Sequence, residues 1–187
     1  MKQAREQWRA DTEGIDPRRF RFMDESGAKT NMVRTHGRCP KGQRLLSSAP
    51  AGHWNTTTMI AAISLDGVHA PFALDGAIDG EAFLIYVEKI LLPTLIGGEI
   101  VVLDNLSSHK LPRVAELIES AGAEVWYLPP YSPDFNPIEN LWSKIKQVLR
   151  SIAARTFDGL VDAIRTALDR VVTSDLLGWF THCGYTT

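Results

Sequence analysis

The sequence predicts an α/β fold in which one mixed sheet is flanked by helices. Three observations lead there. A strand-like alternation near the N-terminus is followed by two strand patterns joined at a tight turn. Two short apolar runs, Glu99–Asp104 (EIVVLD) and Ala123–Leu128 (AEVWYL), then alternate with helical patterns. Such runs suit strands buried on both faces, and a hairpin followed by alternating units implies a single mixed sheet. Size is the third: 187 residues, 44% of them hydrophobic, are enough for one ordinary core.

Taken in order, residues 1–17 are polar, broken by Gly14 and Asp16-Pro17, and read as a lead-in helix or linker. The domain proper is expected over residues 18–187. Arg18–Glu25 alternates, with Phe20, Phe22 and Asp24 on one face and Arg19, Arg21, Met23 and Glu25 on the other. A loop rich in Gly, Lys and Arg runs to about Arg44. Thr56–Leu65 and Val68–Leu74 read as strands joined at Asp66-Gly67, a strong hairpin signal. His53 and Trp54 precede the first of them. Glu81–Leu92 has helical spacing of Phe83, Leu84, Val87, Ile90 and Leu91, with Asp79 as its N-cap. A helix over Ser108–Ala121 stops at Gly122. Four prolines in Pro129–Pro137 dictate a stiff irregular loop. A helix from Asn136 toward Ala154 carries Ile138, Leu141, Trp142, Ile145 and Leu149 as its core stripe. A last helix over Phe157–Val172 precedes an aromatic tail, Trp179 to Tyr185.

Composition narrows the function classes. No apolar run approaches the roughly 18 residues that span a bilayer, and Met1–Glu6 lacks the apolar stretch of a secretory signal. Cys39 and Cys183, with no CxxC pairing, argue against a disulfide framework or structural zinc, so a reducing cytoplasm is the expected address. The net charge of −2 hides an asymmetry: residues 1–46 sum to +5 and residues 47–187 to −7. A basic leading segment suits a polyanion, while the acids of the body are free for another purpose; ordinary solvated charge is the simpler alternative.

Three acids stand at the ends of expected elements. Asp24 closes the first strand, Asp104 closes the apolar strand Ile100–Leu103, and Glu139 sits in the first turn of the helix after the proline-rich loop. Functional groups of open α/β sheets lie outside strand ends, and an acid inside such a strand would be buried unpaired. Three carboxylates meeting at one point need a cation between them, and hard oxygen donors suit magnesium or manganese. Plainer readings exist for each. Asp24-Glu25 is also a polar strand end, Asp104-Asn105 a turn starter, and Asn136, Pro137 and Glu139 a capping-box arrangement.

VVLDNLSSHK (Val101–Lys110), LPPYSPDFNPIENLWSKIK (Leu128–Lys146) and FMDESG (Phe22–Gly27) together resemble the DDE transposases of the mariner superfamily, in particular the bacterial insertion-sequence branch. The 34 residues between Asp104 and Glu139 match that superfamily's spacing of its second and third acids. The likeness runs from about Arg18 to Tyr185 and includes PKGQR (Pro40–Arg44) and GWFTHCGY (Gly178–Tyr185). It implies an RNase H-like fold, with Asp24, Asp104 and Glu139 as catalytic residues holding two Mg2+ ions, for which Mn2+ substitutes. The implied chemistry is phosphodiester hydrolysis at transposon ends, then strand transfer of the freed 3′-hydroxyl into target DNA, without a covalent protein–DNA intermediate.

DNA is the implied partner. Candidate contacts are Arg34, Arg38, Lys41 and Arg44 in the basic loop, Asn105 and His109 just past the second acid, and Lys146 and Arg150 on the helix of Glu139. With the first acid already at position 24, a helix-turn-helix domain for end recognition is expected to be absent. Action as a homodimer, or with a subunit that carries that domain, is the corresponding expectation. The alternative is a truncated, non-catalytic subunit that pairs through the aromatic tail and inhibits. A ribonuclease acting on RNA–DNA hybrids would share the implied fold but not the proline-rich signature.

Overall fold

A computed structural model describes residues 1–51, Trp54 and 56–186; His53 lies outside the described residues. The sheet contains β1 (Phe20–Lys29), β2 (Thr56–Ser64), β3 (Gly67–Asp75), β4 (Ile100–Leu103) and β5 (Glu124–Tyr127) in the order β3-β2-β1-β4-β5. β1 pairs antiparallel with β2 and parallel with β4, and β5 continues the parallel half. The expected mixed sheet is therefore present, built from a hairpin side and a crossover side.

β1 runs four residues past the expected end at Glu25. Its pairing with β4 stops at Phe22↔Val102, but its pairing with β2 continues to Lys29↔Thr56. Asp24 thus sits inside a strand, at the point where the neighbour on one side has ended. In the β2–β3 hairpin, Ser64 opposes Gly67, so the turn is Leu65-Asp66, one residue earlier than expected. β5 forms the sheet's edge and is only partly buried, unlike the fully buried strand its apolar run suggests.

Helices cover both faces. On one lie α2 (Gly80–Tyr86) and α3 (Pro112–Ser120). Asp79 caps α2 as expected, accepting from the Ala82 N–H at 2.9 Å, and the chain continues through a wider turn at Val87–Leu91. α3 begins four residues later than Ser108 because Pro112, with no N–H and a fixed φ, suits a helix's first turn. On the other face lie α4 (Ile138–Ile152), α5 (Phe157–Leu168) and α6 (Thr173–His182), with the N-terminal helix α1 (Lys2–Thr12). The alternation in β1 divides the cores: Phe20 and Phe22 join the second face, Met23 the first.

Both ends of the chain pack on the sheet's second face. The N-terminal helix is docked on the domain: Trp8 is 6% exposed, and its indole N–H donates to the Tyr185 hydroxyl at 3.0 Å. The aromatic tail is helical over Thr173–His182, and Phe180 and Tyr185 are buried against Phe22, with ring centroids at 5.4 and 4.9 Å. Phe180 and Tyr185 therefore contribute to this chain's own core.

Candidate active site

The end of β4 leaves a gap in the sheet that three carboxylates surround. Asp24 reaches it from β1, Asp104 from the first residue after β4, and Glu139 from the first turn of α4. All three line one cavity of about 490 Å3, walled by Asn105, Leu128, the Pro129–Pro133 segment and Asn136. As placed, no three Asp, Glu, His or Cys side chains among the described residues stand close enough together to hold an ion. The acids share a cavity but are not drawn in to a common ligating distance.

Their environments differ. Asp24 is 8% exposed and has no cationic partner among the described residues; the Glu25 N–H donates to its Oδ1 at 2.8 Å and Asn136 Nδ2 to its Oδ2 at 3.5 Å. Burial pushes its carboxyl up to about 8, against the Glu25 N–H and with help from the charges of Glu25, Asp104 and Glu139. Asp104 is half-buried. Burial opposes its charge, but the His109 ring, the Leu106 N–H at 2.8 Å and Lys110 together hold its pKa below the ordinary value. Glu139 is exposed and makes no side-chain hydrogen bond among the described residues. The capping-box alternative is not realised: Asn136 turns its amide to Asp24, and its buried Oδ1 is left unpartnered.

His109 is placed where neither a DNA contact nor an ordinary surface histidine would be. It is 0% exposed, with Nε2 2.8 Å from Glu25 Oε2 and Nδ1 2.6 Å from Asp104 Oδ1, the latter a close charge contact without hydrogen-bond alignment. Burial disfavours its charge, yet the two carboxylates prevail and raise its pKa to about 9. The enclosed His109 side chain is turned to Glu25 and Asp104 and not to the protein surface. Glu25 is the functional neighbour that sequence reasoning passed over. The alternation had put it on the face opposite Asp24, but nothing local announced that His109, 84 positions away, would meet it.

The remaining candidates fall into two groups. Asn105 lines the cavity, and its amide donates to the Leu128 carbonyl, tying the end of β5 to the loop after β4. Arg34, Arg38, Lys41 and Arg44 are exposed in the loop between β1 and β2, while Lys146 and Arg150 are half-buried on α4, and none of the six lines the cavity. The donor set itself fits a hard divalent cation: every candidate ligand is a carboxylate, and the most buried of them has no counter-charge among the described residues.

Residues 19–161 match the family described as DDE superfamily endonuclease. No curated protein sequence gives a significant match. Among solved structures, the chain is similar to the Mos1 Strand Transfer Complex, with a TM-score of 0.76 and 17% identity over 97% of this chain and 57% of that one. It is equally similar to the Mos1 mariner paired end complex with Mn (TM-score 0.76, 17% identity, 97% and 56%). The catalytic domain of Mos1 mariner transposase aligns over 97% of this chain and 84% of its own, with a TM-score of 0.68 at 15% identity. The fold is a mixed α/β RNase H-like fold, as the motif likeness implied. The chain spans a little over half the length of the Mos1 chains in those complexes. No helix among the described residues is long and apolar enough to cross a membrane.

Proposed function

This chain belongs to the DDE superfamily endonucleases, and from that membership we propose that it is the catalytic domain of a mariner-superfamily DNA transposase of the bacterial insertion-sequence branch. The observation that carries the reading is the common cavity of Asp24, Asp104 and Glu139, brought from three elements to the end of β4. Its reaction is hydrolysis of a phosphodiester at each transposon end, followed by transfer of the 3′-hydroxyl strand into target DNA. Asp24, Asp104 and Glu139 hold two Mg2+ or Mn2+ ions, a cofactor class in keeping with the Mos1 paired end complexes with Mg and with Mn. Bound there, such ions supply activation of the attacking oxygen and stabilisation of the leaving oxygen.

The chain's own residues provide orientation. The Leu106 N–H and His109 fix Oδ1 of Asp104, leaving Oδ2 without a hydrogen bond among the described residues and free to bind a cation. The Glu25 N–H fixes Oδ1 of Asp24 in the same way. Pro129, Pro130 and Pro133, stiff at φ, hold one cavity wall. Outside the cavity, Arg34, Arg38, Lys41 and Arg44 grip the DNA backbone, with Lys146 and Arg150 as further contacts, and Asn105 makes a contact from the cavity wall. Residues 18–187 form the catalytic domain with the N-terminal helix docked on it. The protein works on paired ends in a bacterial cytoplasm, as a homodimer or with a subunit that recognises the ends. The inhibitory-subunit alternative loses its support in the tail, because Phe180 and Tyr185 are buried.

Nicking of supercoiled plasmid in Mn2+ tests the reading. Wild-type protein is expected to nick and Asp104→Ala to be inactive. Equal inactivity of both at high protein concentration would overturn the enzymatic assignment.

A further inference from the structure

We propose that Glu25 and His109 are a positioning pair that sets the separation of Asp24 and Asp104, and through it the affinity of the site for a divalent cation. The inference rests on the assignment of those aspartates as metal-binding groups. The hydrogen-bond ladder between β1 and β4 ends at Phe22↔Val102, two residues short of both acids. Beyond that register the sheet does not hold Asp24 against Asp104. A side-chain bridge joins the strands there instead: Glu25 Oε2 lies 2.8 Å from His109 Nε2, and His109 Nδ1 lies 2.6 Å from Asp104 Oδ1. Glu25 also follows Asp24 directly, and its N–H donates to Asp24 Oδ1 at 2.8 Å. One residue thus holds both acids, the first by its main chain and the second through the imidazole.

The imidazole is itself fixed from several sides. The Phe83 ring of α2 lies 4.4 Å from it at 33°. The Tyr127 hydroxyl of β5 donates to the His109 carbonyl at 3.1 Å, and the His109 N–H donates to the Leu106 carbonyl at 3.1 Å. Leu106 in turn donates its N–H to Asp104 Oδ1 at 2.8 Å. A fully buried ring clamped between carboxylates of two strands is a rigid spacer, and its length is transmitted to the gap between the aspartates. Removing a group that orients a metal-binding side chain from behind lowers metal affinity about 10–100-fold.

A bridge with only a structural role would lower the melting temperature of the metal-free protein and leave the cation affinity of the folded protein unchanged. A positioning pair moves the affinity itself. The experiment is a Mn2+ titration of the whole chain by isothermal calorimetry, with the metal-free melting temperature measured alongside. His109→Ala and Glu25→Ala are expected to weaken Mn2+ binding about 10–100-fold. Glu25→Gln, whose amide oxygen still accepts from the imidazole N–H, is expected to stay close to wild type. Should His109→Ala fail to fold, the Glu25 variants decide, and equal affinity of Glu25→Ala and wild type overturns the proposal. Asp104→Ala separates this result from the assignment beneath it. If that variant loses Mn2+ binding while Glu25→Ala keeps it, only the positioning role is overturned. Unchanged binding in Asp104→Ala, or none in wild type, overturns the metal site as well.

Discussion

A carboxylate enclosed in protein and set near other carboxylates keeps its proton to higher pH than one in water. Asp24 is in that position, its pKa raised from 3.8 to about 8 in the metal-free chain. Between those values the folded protein binds a proton there that the unfolded chain has released, so stability falls as pH rises. The contribution is complete below about 3.8 and is lost on passing through about 8. His109, raised from 6.5 to about 9, acts in the same direction at higher pH. In chelator, the melting temperature of wild type is therefore expected to decline relative to Asp24→Asn as pH rises from about 4.5 to 6.5. Parallel curves over that range would show that Asp24 carries no raised pKa. Glu139 contrasts with it, being exposed and unbonded among the described residues. Glu139→Gln is expected to abolish nicking while shifting stability by less than about 0.5 kcal/mol, the usual limit for a surface substitution. Loss of the folded circular-dichroism spectrum would instead assign Glu139 a structural role.

At the scale of elements, the N-terminal helix links a local pattern to a distant site. Trp8 packs edge-on to Trp126 at 5.9 Å and donates to Tyr185, while Arg5 forms an ion pair with Asp134 in the loop that leads to Glu139. Truncating a buried tryptophan costs about 3–5 kcal/mol, so Trp8→Ala is expected to lower the unfolding free energy in urea by about 3 kcal/mol. A change below about 0.5 kcal/mol would mean that the helix is not docked in solution. This contact also marks the limit of what the sequence makes legible. A tryptophan among polar residues in a segment broken at Gly14 and Pro17 carries no sign of its partner at position 185. Phe180 and Tyr185 likewise read as a tail, because ten residues after a Thr-Ser start have too weak an apolar stripe to announce α6. Strongly patterned elements were legible: the alternation in β1 separated the residues of the two cores, the apolar run of β4 marked a strand buried on both faces, and the stripe of α4 faced inward. Boundaries followed local chemistry that pattern alone underweights, such as Pro112 at the start of α3. At the site, the positions of Asp104 after β4 and Glu139 in the first turn of α4 were legible, whereas Asp24, read as closing its strand, lies inside β1. The Glu25–His109 bridge was not legible, since a contact across 84 positions has no local period.

Over the whole molecule, folding redistributes the charge asymmetry of the sequence. Of the cations in the leading segment, Arg21 is buried against Glu99, Arg19 pairs with Glu124, and Arg5 with Asp134, all acids of the negative body. These pairs neutralise part of the basic segment within the protein. Arg34, Arg38, Lys41 and Arg44 stay exposed in the loop after β1 and have no ion pair among the described residues. Positive potential is thereby concentrated in one loop on a body of net negative charge. A polyanion binding there releases counterions, and log K falls with log salt by about 0.9 for each phosphate neutralised. Replacing all four cations by alanine is expected to flatten that slope by up to about 3.6 for a random-sequence duplex between 50 and 200 mM salt. Fluorescence anisotropy of a labelled duplex measures it. The melting temperature should hardly change, because the four side chains are exposed and make no ion pair or side-chain hydrogen bond among the described residues. A slope unchanged in the quadruple variant but flattened in Lys146→Ala/Arg150→Ala would move the DNA-gripping surface from the loop to α4.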